Sequence, residues 1–223
     1  MPPPSHLNSL TMVHLLQEWV QTDAEPARQD VAERLGGWLS AFDSVKLDSA
    51  LQAIASYGAQ ARQGGLAVDT HALEELCRHV KNALTDLITT QAAQAADPAK
   101  PPDYGQHLQR YAELQKRMAS QVTACRAQVR QALSKGSPTL RQLAALDGVM
   151  VQMLGEREQK LLSAVPLYLE RRFEHWRQTQ QHAQATSGWL HGFQQDMRQM
   201  LLAELQLRLQ PILGLIEAVH HDN

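Results

Sequence analysis

"LGEREQKLLSAVPLYLERRFEHWRQ", residues 154–178, decides how this chain is read. Nine Asp, Glu, Lys or Arg side chains stand in a run that is otherwise one long helix, with Pro166 near its middle. A proline inside a helix removes one hydrogen bond and costs about 3 kcal/mol unless packing is arranged around it. The stretch therefore predicts a helix bent at Pro166. Upstream, Leu140, Leu143, Asp147, Met150, Leu154, Arg157, Leu161, Val165 and Tyr168 advance by steps of three and four. Phe193, Met197, Met200, Glu204 and Leu207 do the same further on. These seams have polar members, which favours packing inside a bundle over a free two-stranded coiled coil.

Composition agrees. The 223 residues are 43% apolar, 20% charged and only 5% aromatic, so the chain can bury a core. It is rich in Ala, Leu and Gln, which form helices well and strands poorly. No alternating β-branched run bounded by turns occurs, and the expected class is all-α.

Helices are expected from about Ser9 to Gln21, from Pro26 through Phe42, and from Ser44 to Ser56. The glycines of "YGAQARQGGLAVD" (57–69) mark a loop, and Asp69 is placed to cap a helix reaching about Ala95. Three prolines in "DPAKPPDYG" (97–105) mark a linker. A helix from about Tyr104 to Ser134 follows, then the breaker "KGSP" (135–138), a very long helix from Thr139 to about Gln184, interrupted or bent at Pro166, and a last helix from Trp189 to His220 containing Pro211. The expected organisation is a small helical domain at 1–96, a linker at 97–103 and a long-helix bundle at 104–223, its helices stacked as antiparallel hairpins.

The N-terminal "MPPPSHLNSL" lacks the basic and apolar regions of a signal peptide, and no run approaches the roughly 20 apolar residues of a membrane span. Cys77 and Cys125 are far apart and lack metal-like spacing. A reduced, cytoplasmic protein is expected.

Chemistry is hard to find. Glu156, Glu158, Glu170 and Glu174 offer paired carboxylates, but basic residues stand near them at helical spacing, as in ordinary surface pairs worth about 0.2–0.5 kcal/mol each. His71, Glu75 and His79 are spaced by four on one helix face, which can grip zinc only if further ligands come from elsewhere. No Gly-rich phosphate loop and no nucleophile elbow occur. No catalytic residue, cofactor or metal ligand is assigned.

Charge is distributed unevenly. Residues 1–75 carry ten acidic and four basic side chains, a net of −6. Residues 107–141 carry one acid, Glu113, against Arg110, Lys116, Arg117, Arg126, Arg130, Lys135 and Arg141, a net of +6. Arg126 and Arg130 flank an apolar stripe of Leu114, Met118, Val122, Cys125 and Val129 on one side, and Arg110 and Arg117 on the other; the basic strip suits a phosphate backbone, an acidic partner or the chain's own acidic N-terminal part. Around the proline, Arg157, Pro166, Arg171, Arg172 and Trp176 are the candidate partner-interface residues.

The stretches "LAALDGVMVQMLGEREQKLLSAVPLYLERRFE" (143–174), "FQQDMRQMLLAELQLRLQPILGLIEAV" (193–219) and "HLLQEWVQTDAEPARQDVAERLGGWLSAFDSVKLDSAL" (14–51) resemble blocks of a proteobacterial family, domain of unknown function 3348. The resemblance covers nearly the whole chain and brings no catalytic motif. It implies a genetic setting beside membrane motor-like proteins of the flagellar stator type, as in Zorya antiphage defence systems. By that resemblance the chain is a soluble, non-catalytic effector or adaptor that contacts companion proteins in a hetero-complex or homo-oligomer. The alternative is a DNA-binding effector using the basic helix at 107–141, with a nuclease of unrecognised type as a third reading.

Overall fold

The computed structural model describes residues 12, 15–16, 19, 45, 48–52, 54, 65–92, 103–182 and 188–222. Every secondary-structure element among them is an α-helix, and the class is all-α. Five helices have defined bounds: α1 (Thr70–Ala92), α2 (Tyr104–Leu133), α3 (Pro138–Leu162), α4 (Val165–His182) and α5 (Gly188–Asp222). Met12, Leu15, Leu16 and Trp19 of the expected first helix are helical, as are Val45, residues 48–52 and Ile54 of the third. The expected helix through Val31 and Phe42 lies outside the described residues, as do 97–102 of the linker. No helix among the described residues is long and apolar enough to cross a membrane.

Side chains set the helix starts. Asp69 caps α1: its Oδ1 accepts from Ala72 N–H at 3.0 Å, and its carbonyl accepts from Leu73 N–H at 3.3 Å. Asp103 caps α2 through Gly105 N–H at 3.0 Å. Ser137 caps α3 through Leu140 N–H at 3.2 Å, with Pro138 in the first helical position. Each cap satisfies a backbone donor that the first turn leaves unpaired, worth about 1 kcal/mol.

The chain forms two compact units, each drawn from separate segments. One takes Met1–Ala24, Cys77–Ala124 and Leu161–Gln210; the other takes Glu25–Leu76, Cys125–Lys160 and Pro211–Asn223. On α2 the buried residues are His107, Tyr111, Leu114, Met118, Val122, Cys125, Val129 and Leu133. They repeat every eleven residues, about 3.67 per turn, close enough to the α-helical 3.6 to keep one seam in line without a strong supercoil. In the first unit, Met200, Leu201, Ala203, Glu204 and Leu205 of α5 are all buried, so this segment is enclosed on several faces. In the second unit, Ile212, Leu215, Ile216 and Val219 supply the α5 part of the core.

The break at Pro166 is a two-residue turn. α3 ends at Leu162, Ser163 and Ala164 form the turn, and Pro166 is the second residue of α4. In an unbroken helix the Leu162 carbonyl would accept from the N–H of residue 166, which proline lacks. Gln115 of α2 supplies the missing donor, Nε2 to Leu162 O at 3.4 Å. The hydroxyl of Tyr104 donates to the Pro166 carbonyl. Between Leu162 and Pro166 the chain thus passes α2 from Gln115 toward Tyr104, against the direction of α2. Leu161, expected on the buried seam, is 49% exposed, because the helix ends one residue later and Leu162 takes the buried place.

Candidate functional site: carboxylate clamps and the basic strip

Two polar members of the apolar seams are buried carboxylates. Asp147 of α3 lies in the second unit, its side chain 6% exposed. Arg126 reaches it from α2 with Nε 3.0 Å from Oδ1 and 3.2 Å from Oδ2, and Arg130 adds an Nη1–Oδ2 bond at 3.2 Å. Two members of the expected basic strip are therefore joined to the chain's own acid. The short turn at 134–137 folds α3 back onto α2, and the one-turn spacing of Arg126 and Arg130 aims both at one carboxylate.

Glu204 of α5, in the first unit, is fully buried. Tyr111 Oη donates to its Oε2 at 2.9 Å and Gln115 Nε2 to the same oxygen at 3.0 Å, while Arg208 donates from Nε to Oε1 at 2.9 Å. Burial and the neighbouring Glu204 carboxylate push the Tyr111 hydroxyl well above its ordinary range. A fully buried carboxylate held by three donors, one of them a guanidinium, is closed to a substrate, so this arrangement fixes helix register and does not suit a general base.

A third clamp joins α4 to α5 within the first unit. Asp196 Oδ2 accepts from Arg172 Nε at 2.6 Å and from Trp176 Nε1 at 2.7 Å. The Arg172 guanidinium lies 5.4 Å from the Trp176 ring centroid and 5.8 Å from that of Trp19, within cation–π range. Gly192 makes room for this packing: a Cβ there would stand 2.9 Å from Trp176 ring carbons.

Near the start of α2, Tyr104, His107, Phe173, Trp189 and Phe193 form an aromatic cluster, with Phe173 and Phe193 5.1 Å apart at 84°. Burial, with Glu170 nearby, pushes Tyr104 up to about 12. The remaining expected residues are dispersed. Lys116, Arg117 and Lys135 are exposed, and Arg110 and Arg141 are half-buried. Arg157 is half-buried and Arg171 is exposed. Glu156 and Glu170 are exposed, and Glu174 pairs with Arg177 at 2.7 Å. His71 and Glu75 are 3.9 Å apart on the surface, and among the described residues no three His, Cys, Asp or Glu side chains gather to hold a metal ion.

Sequence reasoning placed Asp147 and Glu204 on the seams but did not supply their donors. Asp196 went unnoticed: it is one acid in a Gln-rich run, and its partners lie 20 and 24 residues away. Neither the curated proteins nor the solved structures contain a match to the chain. The family model described as "Protein of unknown function (DUF3348)" matches residues 1–221, and the chain belongs to that family.

Proposed function

We propose that the chain is a non-catalytic helical adaptor of a bacterial antiphage defence system of the Zorya type, acting through contacts with companion proteins of a membrane motor-like complex. The setting comes from the resemblance of residues 14–51, 143–174 and 193–219. The docking region rests on one observation. Leu161 and Leu167, 49% and 52% exposed, stand on either side of the Ser163–Ala164 turn, which is itself exposed. Two large apolar side chains on a clamped turn, with exposed Glu170 and Arg171 following, have the make-up of an interface centre with a polar rim. The DNA-binding alternative keeps Lys116, Arg117 and Lys135, but Arg126 and Arg130 are spent on Asp147.

The test is a pull-down of the tagged chain from cells that carry its genomic neighbours, with and without nuclease, set against Leu161→Asp/Leu167→Asp. A companion protein that survives nuclease and is lost with the double variant, while the melting curve is unchanged, supports the adaptor. Capture that disappears with nuclease and ignores the leucines overturns it in favour of DNA.

A further inference from the structure

His107 is the buried titratable group that none of the three clamps uses. It is 4% exposed, and its Nδ1 is buried with no hydrogen-bond partner. The ring stands edge-on to Phe193, centroids 5.2 Å apart at 78°, and lies 6.0 Å from Phe173 at 47°. One turn earlier Tyr104 packs on the same two rings, at 5.6 Å and 6.4 Å, and bonds the Pro166 carbonyl. The two rings that face His107 thus also pack Tyr104, whose hydroxyl holds the turn between α3 and α4. All of them belong to the first unit.

We infer that His107 is an acid-sensitive latch: a proton taken up by its ring loosens the aromatic cluster and releases the turn at Ser163–Ala164. With no acceptor at Nδ1, the neutral ring favours the tautomer that carries its N–H on Nε2. The neutral ring needs one acceptor for one N–H, whereas the cation carries an N–H on both nitrogens. From that tautomer the added proton lands on Nδ1, where no acceptor stands, and an unsatisfied buried donor is costly. The surrounding charges do not rescue it. Burial lowers the His107 pKa below its ordinary 6.5, Arg110 on the next turn lowers it further, and Asp103 at the cap of α2 acts the other way without prevailing. α4 and α5 face the imidazole with the rings of Phe173 and Phe193, and the Glu170 carboxylate acts on Tyr104.

The sign follows from linkage. A histidine whose folded pKa lies below its unfolded 6.5 contributes stability in full above 6.5 and loses it as pH falls through that value toward the folded pKa. With one proton taken up on release, the unfolding equilibrium constant rises by up to about tenfold per pH unit in that window.

The experiment is urea unfolding of the full chain from about pH 7.5 to about pH 5, beside His107→Phe and His107→Gln. Relative to either variant, the wild type should lose up to about tenfold in folding equilibrium per pH unit below 6.5. Parallel profiles, or a wild type less sensitive to acid than the variants, overturn the inference. If neither variant folds, a ¹⁵N-histidine titration of the wild type decides: a His107 ring that titrates below 6.5 supports the latch, and one that titrates at or above 6.5 overturns it. Hydrogen exchange separates a latch from general acid lability. The amides of Ala164 and Leu167, bonded to Leu161 O and Ala164 O at 3.1 Å, should lose protection before the core of α5 does. Simultaneous loss at both places rules the latch out.

Discussion

Arg126 and Asp147 are joined by three contacts, two from Nε and one from Nη2 to Oδ1 at 2.5 Å, with an arginine from the next turn of the same helix closing the other side of the carboxylate. A charge that the sequence offers to a phosphate or a partner is thereby committed to holding α2 against α3 in the second unit.

Replacing Asp147 by Asn should leave two half-buried guanidinium groups without their counter-charge. The expected loss lies toward the low end of the roughly 3–5 kcal/mol seen when one member of a buried pair is removed, since both arginines keep some access to water. Urea melts read it directly.

The Arg126→Gln/Arg130→Gln double variant should also lower stability and leave affinity for duplex DNA unchanged. Phosphate contact by both residues would instead reduce the slope of log affinity against log salt by about two units, at about 0.9 per neutralised phosphate. Binding titrations at two salt concentrations, run beside the melts, distinguish the two results.

Glu204 offers a comparison of chemistries at one buried position. Glu204→Leu removes the acceptor shared by the Tyr111 hydroxyl, the Gln115 amide and the Arg208 guanidinium, and should cost more than Glu204→Gln, which keeps an acceptor. The expected order in chemical denaturation is wild type, then Gln, then Leu. A Leu variant as stable as the wild type would mean that the network adds nothing.

Alkaline pH should weaken the first unit. Tyr104 is raised to about 12 and Tyr111 well above 10, both chiefly by burial. Such groups stabilise the fold fully below their unfolded value of 10, and that contribution fades as pH climbs from 10 toward the folded values. Absorbance at 295 nm should show phenolate appearing late and together with unfolding, and Tyr104→Phe/Tyr111→Phe should remove much of the alkaline limb.

Gly192→Ala should push the Trp176 ring off its site and loosen its bond to Asp196, at a cost of about 1–3 kcal/mol for an overpacked contact. Tryptophan fluorescence and a thermal melt check it; an unchanged emission spectrum would show that the ring yields without leaving Asp196.

Local chemistry determined much of this molecule. Asp69 as a cap, the start of α2 at Tyr104, the breaker at 135–138 and the buried stripe from Leu114 to Val129 follow from side chains acting on their own backbone or from apolar spacing along one helix. Helix class and helix ends are short-range properties, and short-range signals are written in the sequence. The proline at 166 announced a break, but its form was decided elsewhere: Gln115 and Tyr104, 47 and 62 residues away from the groups they bond, satisfy the carbonyls at the turn. The same holds for charge. Composition along α2 gives a strip of cations, yet which of them remain open to solvent depends on where α3 places Asp147. Side-chain type and spacing are properties of the chain; the partner of a buried charge is set by long-range packing, and only the tertiary structure decides it.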